Sequence, residues 1–286
     1  MRQAARMKLN AKELWFEGMR DWNGKLPERM TDDRQEEAFW RGYVERRGEG
    51  RTIAPDEYAR PVREALLALL KPEDEVLEIG PGWGNYTFAA ASAVKSLTCV
   101  DRSCSVLDYL AGEAGRQSIA NMDYIHAKWE EYELQGPFDV VFGVNCFYRM
   151  ADIDEALIRI NDSARRLVVL GLTVGTERPY HTEIRERLGC RIKFQRRDYI
   201  HLLAMLYELG IDADCRMVEL ERTYEYDSEE ALMKSSLSPI LDETYDRKAA
   251  EAIVRRYMTE QEGKFTFTHR FKAALLSWRP ERRIGL

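Results

Sequence analysis

Hydrophobic positions along this chain switch between two periods. Short apolar runs over 75–79, 96–100, 122–126, 138–144 and 166–173, bounded by Pro, Asp, Gly or Arg, have the length and β-branched content of buried strands. Helical spacing fills the gaps. Val62, Leu66 and Leu69 share one face of a helix that Pro55 or Pro61 opens. Helices are also expected through Ala89-Ala90-Ala91, over 105–116, from an Asp152 cap to Ile160, and from an Asp198 cap over 199–208 to Gly210. Two further strands follow, 215–226 and 264–278. Strands alternating with helices predict an α/β fold, a doubly wound, mostly parallel seven-stranded sheet.

The flanks break this alternation. Residues 1–52 read as amphipathic helices carrying Trp15, Phe16, Trp22, Phe39, Trp40 and Tyr43, a helical N-terminal cover ahead of a main domain over 53–286. Between the last two strands lies a helical insertion, 227–263, with helical patterns at Glu229–Leu232 and Lys248–Met258. Such strands are usually joined by a short hairpin. The insertion therefore reads as a lid, a solvated excursion or a dimer contact, and a homodimer is one expectation.

Composition narrows the class. With 286 residues, 45% hydrophobic and 32% charged, the chain supports a sizeable core. A net charge of −6 argues against a nucleic-acid partner. The pairs Arg165-Arg166 and Arg196-Arg197 read as solvated ends of elements. Cys99, Cys104, Cys146, Cys190 and Cys215 are scattered without zinc spacing, and His126, His201 and His269 lie far apart, so no metal site is expected. Without an apolar leader at the N-terminus, reduced thiols suggest a cytoplasmic protein. The longest apolar stretch, 167–174, is strand-sized, so no membrane span is expected.

The first strand runs into Gly80-Pro81-Gly82-Trp83-Gly84, and the second ends at Asp101. A glycine turn after one strand and a carboxylate at the end of the next are how a doubly wound sheet holds a ribose-bearing ligand. Dinucleotide sites use GxGxxG, whereas these glycines are spaced GxGxG. Glu78, just before the turn, would repel a pyrophosphate but can accept from an ammonium group. Both details favour S-adenosyl-L-methionine over a dinucleotide.

On these residues the sequence resembles the class I S-adenosylmethionine-dependent methyltransferases. Glu78-Ile79-Gly80-Pro81-Gly82-Trp83-Gly84 is similar to the family's first motif, Asp101 to its ribose-binding acid, and Phe138–Phe142 with Asn145-Cys146 to its fourth motif. The resemblance implies that Glu78, the turn Gly80, Pro81, Gly82, Trp83 and Gly84, and Thr87 hold the methionine end. It implies that Asp101 takes the ribose hydroxyls with Arg102 beside it, and that Asn145 and Cys146 complete the wall. One departure stands out. Lys128 occupies the place where many members carry an adenine-binding Asp, which leaves Trp129 to stack on the base and Glu130 to accept from its amino group.

Methyl transfer from a sulfonium is an in-line displacement in which the protein chiefly positions the acceptor. Candidates lie at the carboxyl ends of strands four and five: Asn145, Cys146, Tyr148 and Arg149, then Thr173, Thr176, Glu177, Tyr180 and His181. His181 is the candidate base, Tyr148 the candidate orienting group, and Arg149 a possible partner for a substrate carboxylate. The prolines of a DPPY-type amine-methylating signature are absent. The expected function is methyl transfer to a small-molecule acceptor. The alternatives are a non-catalytic S-adenosylmethionine or S-adenosylhomocysteine binding protein and a protein or RNA methyltransferase, with a nicotinamide oxidoreductase last.

Overall fold

A computed structural model describes residues 6–48, 54–133, 136–175 and 177–280. The N-terminal segment forms α1 (Ala11–Met19), α2 (Glu28–Thr31) and α3 (Asp33–Gly48), and α4 (Arg60–Leu67) leads into the sheet. Then follow β1 (Glu75–Ile79), α5 (Thr87–Ala91), β2 (Ser96–Asp101), α6 (Cys104–Arg116), β3 (Met122–His126), β4 (Phe138–Val144), α7 (Ile153–Ser163) and β5 (Ala164–Val174). The rest is α8 (Pro179–Leu188), α9 (Tyr199–Glu208), β6 (Asp214–Tyr226), α10 (Glu229–Leu237), α11 (Arg247–Arg255), β7 (Thr259–Gln261) and β8 (Lys264–Trp278). The expected junction at 52/53 falls outside the described residues.

The strand order is β3-β2-β1-β4-β5-β8-β6, with β7 attached to β8 as an antiparallel hairpin. Strands β1 to β5 pair in parallel. This is the expected doubly wound sheet, with one short strand that the sequence pattern did not reveal. The central strands are buried on both faces: Val76, Leu77, Leu97, Val140, Val141, Phe142, Val168, Val169 and Leu170 are all fully enclosed. Parallel strands covered by helices require such continuous apolar runs.

The chain divides into two compact units. The first comprises residues up to 173, the return segment 197–218 and the tail from 273. It contains α1 to α3, and Trp15 of α1 is fully buried in the sheet's main core. The second unit comprises Val174–Arg196 and Glu219–Lys272. The insertion is thus part of something larger: α10 and α11 share a core with α8, through Tyr180, Ile184, Leu232, Met233, Ala250, Ile253, Val254 and Phe267. Helix α8 escaped the sequence reading, although Pro179 at its first turn and Gly189 in the left-handed region (φ +68°) at its end are standard boundary signals.

Two local expectations change. The Arg165-Arg166 pair braces the sheet: Arg166 forks onto Asp74 (3.2 and 2.5 Å), and Arg165 reaches Asp139 (3.1 Å) and Glu75 (3.2 Å). Parallel strands bring their starts together, so carboxylates and guanidiniums from distant sequence meet there. Asp152 sits at the start of α7, but its side chain pairs with Lys12 (3.1 Å) and makes no cap bond. Asp198 does cap α9, in a capping box completed by His201 Nδ1, which accepts from the Asp198 amide at 3.1 Å.

Candidate active site

Strand β1 lies between β2 and β4. Chain order reverses at this point, and the connections after β1 and β4 part to opposite faces, leaving a crevice at the carboxyl ends of the strands. A cavity occupies that crevice. It is walled by the turn Gly80–Trp83, Asp101 and Arg102 after β2, the stretch 127–130 after β3, and 144–146 with 148–150 after β4. Helix α3 contributes Glu36 and Trp40, and Tyr58, Asn85 and Tyr86 add to the lining.

The turn is shaped by close approach. Gly80, Gly82 and Gly84 all have positive φ (+62°, +56° and +87°). A Cβ on Gly80 would lie 2.5 Å from the Cβ of Cys146, so only glycine lets the chain leaving β1 touch the chain leaving β4. Asn145 is also left-handed (φ +55°). Its amide donates to Gly171 O (2.8 Å) and its Oδ1 accepts from Thr173 N (2.9 Å), which fixes where the post-β4 loop begins.

Asp101 faces the cavity and is only 8% exposed. Its Oδ1 accepts from the Ser103 amide at 2.8 Å. Burial raises its pKa to about 7; the Ser103 and Gly82 amides pull downward, while Glu36 and Glu37 push upward. Glu78 lies deeper, at 2% exposure with one oxygen 4.0 Å from Cys99 Sγ, and burial raises it to about 8 against the opposing pull of the Thr87 hydroxyl. Glu78, Gly84 and Thr87 are not among the lining residues. They form the layer beneath the turn: a Cβ on Gly84 would strike the Phe88 ring at 2.5 Å.

The other residues singled out in the sequence divide in the same way. Arg102 and Lys128 line the cavity, and both ion-pair with Asp33 of α3, Lys128 at 2.7 Å. Trp129 reaches the lining but is 3% exposed, donates its indole N–H to Ala156 O (3.2 Å) and packs on Tyr132. Glu130, Asn145 and Cys146 line the wall, and burial holds the Cys146 thiol well above its usual pKa. Tyr148 lines the rim with 41% of its surface exposed, and burial around its phenol raises that pKa.

His181 is not brought to the cavity lining. It belongs to the second unit, is 5% exposed, and its Nε2 lies 2.8 Å from Ser236 O. A carbonyl only accepts, so this nitrogen carries the proton. Burial lowers the pKa, which keeps the ring neutral, and its partner is the α10 backbone. Its burial beside Tyr180, with ring centroids 4.6 Å apart, gives it a packing role. Thr176 lies outside the described residues.

Glu36 escaped the sequence reading. Its side chain is 3% exposed, pairs with Arg29 (2.8 Å) and Arg149, and accepts from Trp40 Nε1 at 2.7 Å. The available signal was the i,i+4 spacing of Glu36 and Trp40 on an aromatic helix. Among the described residues no cluster of His, Cys, Asp and Glu suits a metal ion, and no helix is long and apolar enough to cross a membrane.

The strand order with its added antiparallel hairpin is that of the Rossmann-like methyltransferase fold. Residues 76–166 match the family model described as a methyltransferase domain; the chain carries a class I S-adenosylmethionine-dependent methyltransferase domain, with S-adenosylmethionine as its cofactor. A ribosomal RNA small subunit methyltransferase A of Malacoplasma penetrans is 32% identical over 72 residues, which is 25% of this chain and only 26% of that relative's length. An uncharacterized protein of Haemophilus influenzae is 26% identical over 209 residues (68% of this chain, 76% of the relative). A protein-L-isoaspartate O-methyltransferase of Klebsiella pneumoniae is 28% identical over 162 residues (56% and 74%). Among solved structures, a putative methyltransferase of Bacillus halodurans superposes with a TM-score of 0.52 at 14% identity, covering 79% of this chain and 99% of that one. The YcgJ protein of Bacillus subtilis gives 0.51 at 15% identity, covering 77% and 98%. At such identities these two likenesses concern the fold.

Proposed function

We propose that this protein transfers a methyl group from S-adenosylmethionine to a small-molecule acceptor held against the post-β4 loop. The observation that carries this reading is the convergence of the glycine turn, Asp101 and the loop 145–150 on one cavity that α3 walls from above. The donor set fits the cofactor. Asp101 is a carboxylate at the end of β2, and two oxygens suit a vicinal diol. The bare backbone at Gly80 and Gly82 admits a methionine end without side-chain interference. Lys128, Trp129 and Glu130 would hold the adenine, with Asn145 and Cys146 on the same cavity's wall.

Bound there, S-adenosylmethionine supplies a methyl group on a positively charged sulfur. The chain's own residues orient and enclose. Burial raises both carboxyls, Asp101 to about 7 and Glu78 to about 8, so a cationic ligand beside Asp101 would favour its charged form, with Glu78 in the layer beneath. Trp40, Tyr58, Trp83 and Tyr148 line the cavity, which suits an apolar or aromatic acceptor. Burial raises the pKa of the Tyr148 phenol at the rim, which suits a group that orients the acceptor more than one that takes its proton. The wall made by Glu36 and Trp40 favours an enclosed small acceptor over a macromolecular surface.

The test is a calorimetric titration with S-adenosylmethionine and S-adenosylhomocysteine, with NADH as control, followed by a metabolite screen with methyl-labelled cofactor. Binding of the first two and a labelled small product support the reading. Cofactor binding without any labelled product would favour a sensor, and NADH binding would overturn the cofactor assignment.

A further inference from the structure

The loop between β4 and α7 is held by side chains from distant parts of the first unit. Trp15 Nε1 donates to Met150 O at 2.9 Å. Arg197 Nη1 donates to Tyr148 O. Between these carbonyls, Arg149 points the other way, onto Glu36 and onto Arg29 O (2.7 Å). Trp15 is fully buried, and the Arg197 guanidinium lies over its ring, 5.5 Å from the centroid. The two donors therefore stack on one another and grip alternate carbonyls on either side of Arg149. Phe147 and Met150 anchor the turn in the core, but its backbone is a single turn of 3-10 helix, Phe147–Arg149, closed by Met150 N donating to Phe147 O at 3.0 Å.

We propose that Trp15 and Arg197 are positioning residues for methyl transfer. Acting through the carbonyls of Met150 and Tyr148, they lock the turn that presents Tyr148, Arg149 and Met150 to the cavity. The proposal rests on the functional reading above. Without the two donors these carbonyls turn to water, and the turn samples several arrangements. In-line displacement tolerates little of this, since a misplacement of about 1 Å can cost on the order of a hundredfold in rate. The role differs from packing: it needs the N–H groups as well as the volume of the rings and stems.

Cys146 reports on the loop, because it is half-buried two residues before Tyr148 and burial raises its thiol pKa, so it should alkylate slowly while the loop is in place. The experiment compares the full chain with Trp15→Phe, Arg197→Met and Arg197→Lys. It measures iodoacetamide labelling of Cys146 by peptide mass spectrometry, with the exposed Cys104 and Cys215 as internal standards. It also records the thermal midpoint and S-adenosylhomocysteine affinity of each variant. The expected result is labelling of Cys146 at least fivefold faster in Trp15→Phe and Arg197→Met, with Arg197→Lys restoring most of the protection because it keeps a donor. Once an acceptor is known, kcat should fall at least tenfold in Arg197→Met while the KM for cofactor moves less than threefold. Unchanged Cys146 labelling in Arg197→Met, or equal effects of Met and Lys at 197, would overturn the proposal. If Trp15→Phe fails to fold, the half-buried position 197 still decides the matter. Failure of the unaltered protein to bind S-adenosylhomocysteine would sink the functional reading instead, and the labelling result would remain readable by itself.

Discussion

Glu36 of α3 forms an ion pair with Arg149 of the post-β4 loop, and the same carboxylate also holds Arg29. Glu36 and Arg149 are 3% and 14% exposed, so the pair is largely withdrawn from water. Removing one member of such a pair leaves a buried charge unmatched. Glu36→Ala should cost about 3 kcal/mol in urea denaturation. Combining it with Arg149→Met should cost less than the sum of the two single changes. Simple additivity would show that the pair is not coupled.

The cofactor assignment makes Asp101 the most sensitive polar side chain in the cavity. Asp101→Asn should weaken S-adenosylmethionine binding at least tenfold in calorimetry while leaving the far-ultraviolet circular dichroism unchanged. Equal affinity would remove Asp101 from the site.

Asp101 and Glu78 also predict how stability varies with pH. Their carboxyls titrate at about 7 and about 8 in the folded chain, against about 4 when unfolded. Between those values the folded state keeps protons that the unfolded state has released. Their contribution to stability is complete below pH about 4 and declines as pH rises through about 7 and about 8, by at most about 1.4 kcal/mol per pH unit for each proton. Denaturation at pH 6 and pH 8.5 should show the ligand-free protein weaker at the higher pH, with a shallower slope in Asp101→Asn. Bound S-adenosylmethionine should flatten it as well, with protons released on binding near neutral pH. A slope of opposite sign in the ligand-free protein would refute the two assignments.

The contact between Gly80 and Cys146 is testable by size alone. Gly80→Ala places a methyl 2.5 Å from the Cys146 Cβ in a backbone with φ +62°, and should destabilise by about 3 kcal/mol. Adding Cys146→Gly should relieve the collision but leave the backbone strain, giving partial recovery. Full recovery would mean that the left-handed backbone costs nothing here.

The α9 capping box uses histidine where Glu or Gln is usual. His201→Gln should keep the cap and His201→Phe lose it, at about 1 kcal/mol, and Asp198→Ala should cost a similar amount. Thermal midpoints indistinguishable among all three would show that the box contributes nothing.

Much of the fold was legible because its signals are local. The strands 75–79, 122–126, 138–144 and 264–278 fall where apolar runs meet Gly, Pro and charged boundaries, and Asp198 caps the helix it was expected to cap. The glycine turn and Asp101 were legible for the same reason: each lies at the end of a strand whose pattern is plain. The reading failed where partners are far apart in sequence. His181 has the right chemistry and follows the right strand, but burial against Tyr180 and the Ser236 carbonyl makes it a packing residue. Glu36 looks like one acid among several on a polar helix until Arg29, Trp40 and Arg149 close around it.

The sequence by itself determined the alternation of strands and helices, the backbone freedom at the glycine turn and the acid at the end of β2, since hydrophobic period, φ and strand ends are properties of neighbouring residues. Only the tertiary structure decided that Glu36 and Trp40 of α3 line the cavity, that Trp15 and Glu36 bond to the post-β4 loop, that the insertion shares a core with α8, and that Glu78 lies beneath the site while Asp101 faces it. Burial and hydrogen-bond partners belong to surfaces brought together by folding, and one-dimensional spacing carries no record of which surfaces those are.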